Sequence, residues 1–360
     1  MEPKLLLISA ISPTPQNSGG ATRIQHTLKE VSKYCQTDLI TFDESEIKIQ
    51  PKKISLFFKK GIPYWFTPWY SQKLISQVQK LINDNHYDII QIEFSQLLYL
   101  IKYLPKNIKK VFTAHDISYI SFYRRILEDN PSLIKKVIRF FLFLQIYFYE
   151  KKYLPKFDTI ITVSQKDKKT LQHQLPNKKI ICLSNGIDEI NLIKKKISSI
   201  LKLGYIGSFK HTPNINALNY FFNKISPTLE KERILYQFYL AGDNGIDFVK
   251  DTFPKIINLG HVKETADFYK KIDCLVVPLL SGSGSRIKIL EALSFGIPVI
   301  SSSIGAEGIK IKTPYLQITD NPKDYSKLLL KLPKNDFKNL KNELTPFLWT
   351  NIFKNYLKKI

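Results

Sequence analysis

The stretch "SGSGSRIKILEALSFGIPVIS", Ser281 to Ser301, decides how the rest of the chain is read. It follows the apolar run "DCLVVPL" (273–279), which has the length and β-branched content of a buried strand. A loop of glycines and serines then lets the backbone come close to a ligand, and its N–H groups, together with the start of the next helix, suit an anion. Arg286 and Lys288 place full positive charges at that point, and a guanidinium can hold two phosphate oxygens at once. Glu291 needs a different partner: a carboxylate beside a pyrophosphate is repelled, whereas a ribose diol offers two donors to its two oxygens. The combination predicts a pocket for a nucleoside diphosphate. A plain helix in which Lys288 and Glu291 pair at i,i+3 is the bland alternative. "GSGSRI" also approaches the dinucleotide fingerprint, but its third glycine is missing and Ile287 stands near that place, which disfavours a nicotinamide enzyme.

Outward from this stretch, short β-branched and aromatic runs alternate with helical patterns, the signature of parallel sheets covered by helices. Strands are predicted at 4–9, 37–42, 87–93, 110–114, 158–164 and 179–184, and again at 202–208, 236–242, 255–260, 273–279 and 298–302. The turn at "NGID" gives way to a lysine-rich segment without a period, which sets a linker near 189–201. The expected organisation is an α/β protein of two Rossmann-like domains, 1–188 and 189–343, with a last helix at 344–360. In open parallel sheets ligands bind beyond the carboxyl ends of the strands, so the cleft between two such domains is the expected site. Asn185 and Gly186 are expected in a turn with positive φ.

Composition narrows the function classes. The chain has 360 residues, 44% of them hydrophobic, enough for two cores. Cys35, Cys182 and Cys274 lack the spacing of a zinc site or disulfide framework and read as reduced core residues. The opening "MEPKLLLISAISP" has too short an apolar run, and an acid at Glu2, for a signal peptide, and it reads as a first strand. The greasiest run, "FFLFLQIYFY" (140–149), is shorter than a membrane span, so the expected location is cytoplasmic. The 54 basic against 31 acidic side chains, net +23, call for an anionic partner or a biased composition. No nucleic-acid signature accompanies the scattered lysines, so nucleic acid is not expected. The runs at 55–70 and 133–156 mix lysines with bulky aromatics as interfacial helices do, pointing to peripheral contact with an anionic membrane on its inner face. A core helix with lysines on its solvated side is the alternative for the second run.

"SGSGSRIKILEALSFGIPVISSSIGAEGI" resembles the donor-binding segment of glycosyltransferase family 4, retaining nucleotide-sugar transferases of the GT-B fold. The likeness continues in order through "SPTPQNSGGATRIQHTLKEVS", "FTAHDISYISFYRR", "LSNGID", "LGYIGSFKHTPNINALNYF" and "YLAGDNG", and so covers nearly the whole chain. It implies two Rossmann-like domains facing across a cleft, with the C-terminal helix crossing back onto the first. It implies transfer of a sugar, with retention, from a nucleotide-sugar donor to a hydroxyl of a glycan or lipid-linked acceptor, in cell-surface polysaccharide or glycoconjugate assembly.

The resemblance assigns roles by position. Glu291 matches the second glutamate of the family's Glu-x7-Glu motif and would grip the ribose; the first falls at Ser283, a departure that puts the sugar's identity in question. A branch of the family with serine-glycine-arginine-lysine loops is closer, and in it Arg286 and Lys288 would neutralise the pyrophosphate. Gly282, Ser283, Gly284 and Ser285 would form the donor loop, with Gly207 and Lys210 contributed by the loop after the "GYIGS" strand. Gly19 and Gly20 would admit donor phosphates or acceptor to the backbone, and His115 would reach the donor sugar or its phosphate. No Asp-x-Asp pair occurs, so cationic side chains are expected to replace a metal, and no cofactor is expected. Ser283 motivates the competing class, a GT-B protein that binds a nucleotide or glycan without transfer, and an NAD-dependent oxidoreductase is a more distant reading.

Overall fold

Leu5, Leu6, Leu7 and Ile8 have no exposed surface, as four successive apolar residues require when a strand is covered on both faces. They form β1 (Lys4–Ser9), an inner strand of the first of two sheets. The computed structural model describes residues 2–15, 18–42, 54–128, 132–243, 256–281 and 287–360. Its first sheet adds β2 (Gln36–Thr41), β3 (Ile89–Glu93), β4 (Lys109–Ala114), β5 (Thr159–Thr162) and β6 (Lys179–Cys182) in the order β2-β1-β3-β4-β5-β6. Its second sheet consists of β7 (Leu201–Ile206), β8 (Tyr236–Ala241), β9 (Ile256–Asn258), β10 (Cys274–Val277), β11 (Val299–Ser301) and β12 (Leu316–Ile318), in the order β12-β11-β10-β7-β8-β9. Every described pairing is parallel.

Both sheets reverse direction beside their first strand. The chain steps from β1 out to β2 and then to β3 on β1's other side, fixed by Leu7 opposite Leu39 and Gln91. It steps likewise from β7 to β8 and β9, then returns to β10 on the far side of β7. Such switch points leave a crevice at the carboxyl ends of the two flanking strands, where no crossover helix closes the space.

The helices that matter below are α1 (Gly19–Val31), α2 (Ile54–Lys60), α3 (Ser118–Glu128), α4 (Leu133–Tyr153), α5 (Thr212–Tyr220), α6 (Thr265–Tyr269), α7 (Ile287–Ser294) and α8 (Tyr356–Lys359). Ser18 caps α1, its Oγ accepting from the Ala21 amide. Gly19 and Gly20 therefore open a helix.

The chain divides into two compact units. The first ends at Ser184 and also takes in Phe353–Ile360, while the second spans Asn185–Ile352. Residues 189–201, expected as a linker, pack on the second unit. The Asn191 and Ile193 amides donate to Ser294 and Phe295, and the Lys195 ammonium lies 3.3 Å from the buried Asp273 carboxylate. The part of the tail held in the first unit begins at Phe353, not at 344.

Three further expectations need correcting. Neither Asn185 nor Gly186 has a positive φ; Gly186 is glycine because a Cβ there would lie 2.5 Å from the Phe347 carbonyl oxygen and 2.6 Å from Ile352 Cδ1. Cys35 and Cys274 are buried free thiols, but Cys182 is only half-buried. The run at 140–149 is neither wholly core nor wholly surface. α4 buries Ile146, Tyr149, Glu150 and Tyr153 and exposes Phe140, Phe141 and Phe148. Among the described residues no helix is long and apolar enough to cross a membrane.

Candidate functional site

In the second unit the switch point between β7 and β10 gathers Gly207, Asn214, Lys288 and Glu291. β7 ends at Ile206, and the Gly207 amide donates to Ala241 at the end of β8. Gly242 follows at φ +129, in contact with Gly207: a Cβ on Gly242 would lie 1.9 Å from the Gly207 oxygen, so only glycine fits. The loop then enters α5, where Asn214 Nδ2 donates to the Ser208 carbonyl and Asn214 Oδ1 accepts from the Tyr205 hydroxyl at 2.7 Å.

Lys288, in the first turn of α7, reaches this loop. Its Nζ donates to Asn214 Oδ1 at 3.3 Å and stands 4.1 Å above the Tyr205 ring, a cation over an aromatic face. A Cβ on Gly207 would sit 2.9 Å from that Nζ and 2.9 Å from Asn214 Nδ2. Gly207 is thus the residue that lets an ammonium group lie against the β7 loop. Lys210 lies exposed beyond it in the same turn.

Glu291, one turn along α7, is half-buried. Its Oε2 accepts from the Tyr269 hydroxyl at 3.0 Å, a hydroxyl that also lies 3.1 Å from the Lys288 carbonyl oxygen. Burial raises the Glu291 carboxyl above its ordinary value, Asp188 adds to the rise, and the Tyr269 hydrogen bond and the Lys288 charge oppose it. Tyr269 holds the carboxylate by one oxygen, Oε2. Ser302 Oγ donates to Leu279 at 2.6 Å and accepts from the Gly305 amide at 2.9 Å, tying the turn after β11 to the end of β10.

In the first unit the ends of β1, β3 and β4 gather Gly20, Glu93, Phe94 and His115. His115, just past β4, lies with Nε2 2.6 Å from Glu93 Oε2. Glu93 is fully buried, and its Oε1 accepts from Thr113 Oγ1 at 2.8 Å and from Gln91 Nε2. Burial works against ionisation of Glu93, yet the His115 and Gln91 hydrogen bonds and the His115 and Arg23 charges outweigh it and hold the carboxyl below its ordinary value. Phe94 stacks on the His115 ring at 3.7 Å with 11° between planes. It does so at φ 75, a left-handed conformation that costs a bulky residue on the order of 1–3 kcal/mol. A Cβ on Gly20 would come within 3.0 Å of Ile11 Cδ1 and 3.3 Å of the Phe94 ring. Gly20 therefore leaves room for both Ile11 and the Phe94 ring that stacks on His115.

A second layer of charge lies beneath. Arg23 on α1 is buried, donates to the Ser184 carbonyl and stands 5.4 Å over the Phe353 ring. Burial lowers its guanidinium to about 10, with Glu93 the main opposing influence. Tyr356, at the start of α8, donates its hydroxyl to Gln91.

The expected residues thus divide into two groups. Lys288, Glu291 and Gly207 meet in the second unit, and Gly20 and His115 meet in the first. Arg286 and the loop residues Gly282, Ser283, Gly284 and Ser285 lie outside the described residues. Glu93, Phe94, Arg23, Asn214 and Tyr269 were not expected; "QIEF" reads as an ordinary strand end, and Tyr269 as one more core aromatic. A signal for Glu93 was present in its acidity inside an apolar strand, since buried carboxylates need partners. Among the described residues no group of three or more His, Cys, Asp or Glu side chains could hold a metal ion.

Two switch-point centres on two parallel sheets define a two-domain α/β protein of the GT-B class. Residues 18–189 match the model of Glycosyltransferase Family 4, and residues 201–335 match that of Glycosyl transferases group 1. Between them these take in most of the chain, and the protein belongs to this glycosyltransferase family. A relative from Klebsiella pneumoniae, described as an uncharacterized 44.6 kDa protein in the cps region, is 23% identical over 335 residues, 85% of this chain and 84% of its own. Among solved structures, sucrose-phosphate synthase from Thermosynechococcus elongatus superposes with a TM-score of 0.70 at 13% identity, covering 99% of this chain and 98% of that one. The HepE protein of Anabaena, solved with UDP and glucose, gives 0.57 at 13% identity, covering 99% and 95%. At such identities these likenesses speak for the fold.

Proposed function

We propose that the protein transfers a sugar, with retention and without a metal ion, from a nucleoside diphosphate sugar to a hydroxyl of a glycan or lipid-linked acceptor in cell-surface polysaccharide assembly. The observation that carries the reading is the pairing on α7 of an ammonium, laid against the glycine of the β7 loop, with a carboxylate one turn away that Tyr269 holds by one oxygen. Cation and acceptor at that spacing suit a pyrophosphate and the ribose beside it. The leaving diphosphate gains charge as the glycosidic bond breaks, and Lys288 is placed to stabilise it, with Arg286 assigned the same task from the family motif. The relative in a cps region supports a polysaccharide acceptor, and the UDP bound to HepE supports a uridine donor. The first unit, with His115 on its pedestal of Phe94 and Glu93, is assigned the acceptor.

Thermal unfolding against UDP-, GDP- and CMP-sugars, free diphosphates and NAD, with chelator present, tests the reading. One sugar-nucleotide class in saturating excess should stabilise the protein by roughly 2–4 kcal/mol, and Glu291→Ala should remove roughly 1.4–2.7 kcal/mol of that shift. No shift with any sugar nucleotide, or a shift with NAD alone, refutes it. A shift without release of free nucleotide when acceptors are supplied would favour the binding protein that Ser283 suggests.

A further inference from the structure

α4 is apolar on both of its faces, and only one of them is covered. Ile146, Tyr149 and Tyr153 are buried in the first unit. Leu133, Val137, Phe141 and Phe148 recur on the opposite side, within a strip roughly 80° wide at 3.6 residues per turn, and are 77%, 49%, 60% and 60% exposed. Ile134 and Ile138 extend that strip at 74% and 54% exposure. A helix apolar all round is ordinarily buried all round. The neighbouring elements continue the pattern. α3 packs along α4 and exposes Tyr123, and the 3-10 turn Tyr64–Trp69 lies between α4 and α2, which exposes Phe58 beside Lys59 and Lys60.

Charge identifies the occupant. α4 carries Lys135, Lys136, Arg139, Lys151 and Lys152, and its one acid, Glu150, is withdrawn into the core on Ser95 and the amides of Ser118 and Tyr119. A second copy of the chain seated on this face would set two such cationic helices together, which repels. A bilayer of anionic lipid takes both features at once: the apolar strip enters the acyl boundary, and Lys136 and Lys152, about 100° and about 60° round the helix from the strip's centre, reach headgroup phosphates, while Lys135 and Arg139 face the other way.

We propose that the face of α4 formed by Leu133, Ile134, Val137, Ile138, Phe141 and Phe148 docks the protein on an anionic bilayer, with α2 and α3 as its flanks. This deepens the reading above by naming where a lipid-linked acceptor would be met, and it rests on the helix alone.

The test is co-sedimentation of the full chain with vesicles of phosphatidylcholine containing roughly a third phosphatidylglycerol, against phosphatidylcholine alone. The protein should bind the anionic vesicles at least about tenfold more tightly. Val137→Glu with Phe141→Glu should abolish binding, and Lys136→Glu with Lys152→Glu should weaken it by about tenfold or more. Both variants touch only exposed side chains, so both should keep the parent's melting temperature and its nucleotide-sugar shift. Absence of vesicle binding, equal binding by the variants, or a dimer in sedimentation velocity that Val137→Glu with Phe141→Glu dissolves would each overturn the proposal. Vesicle binding without any nucleotide-sugar shift would leave the docking face standing and remove the transferase reading.

Discussion

Glu93 Oε2 lies 2.6 Å from His115 Nε2, an ion-pair distance at the end of a buried strand. With that nitrogen engaged, Nδ1 is the remaining ring nitrogen, and the ring is stacked on Phe94 at 3.7 Å. A histidine so fixed on two sides is a positioned group, because neither its tilt nor its tautomer is left to the solvent.

Exchanging Glu93 for Gln keeps a hydrogen bond to His115 and removes the charge. We expect kcat to fall about tenfold with KM little changed, whereas His115→Ala should cost about a hundredfold or more. Glu93 also sets an acid limit on stability. Its carboxyl is held below the ordinary 4.5 in the folded protein, so its contribution is complete above that value and disappears as pH falls through the lower folded one. Melting curves taken below about pH 4.5 should therefore decline more steeply for the parent than for Glu93→Gln.

Glu150 acts in the opposite direction. Burial raises its carboxyl to about 7, so the folded chain holds a proton that the unfolded chain releases near the ordinary 4.5. Its contribution weakens as pH rises between those values and is at its least above about 7. Glu150→Gln should flatten that slope and raise stability at alkaline pH by on the order of 2 kcal/mol, read as the melting temperature across the two arms.

Gly207→Ala places a methyl 2.9 Å from Lys288 Nζ and from Asn214 Nδ2, and Asn214 is anchored by Ser208 and Tyr205. The lysine must move. Donor affinity should fall about tenfold with only ~1 kcal/mol lost in stability, and Lys288→Met should reproduce the affinity loss without the stability loss. Additive losses in the double variant would show that the two residues act independently.

Glu291→Ala removes a charged acceptor and should weaken nucleotide-sugar binding by about tenfold to a hundredfold. Titration calorimetry with and without chelator checks both this and the absence of a metal requirement: the parent should bind equally well in the two buffers.

Much of this was legible beforehand. Leu5 to Ile8, "IITVS" and "CLVVP" declare buried parallel strands because an unbroken apolar run has no solvent face to alternate with. β12 was missed because three residues, "LQI", are too few to show any period. Lys288 and Glu291 could be found from their spacing on one helix, since i and i+3 share a face wherever the helix lies. Phe94 and Arg23 could not, and Glu93 could be found only as an acid inside an apolar strand, without its partners. Their meeting depends on β1, β3 and β4 lying side by side, and on a positive φ at a phenylalanine, which no local preference foretells.

Phe353 covers the buried Arg23, Tyr356 donates to Gln91 beside Glu93, and the Ile360 carbonyl accepts from Lys179. These closing residues are synthesised only after the whole of the other unit. During translation the first six strands must wait, sheet formed but charged interior partly open, for a segment that follows the second unit. Order of synthesis and order of completion are thus reversed in this protein. A fault in making the second unit would delay sealing of the histidine centre in the first.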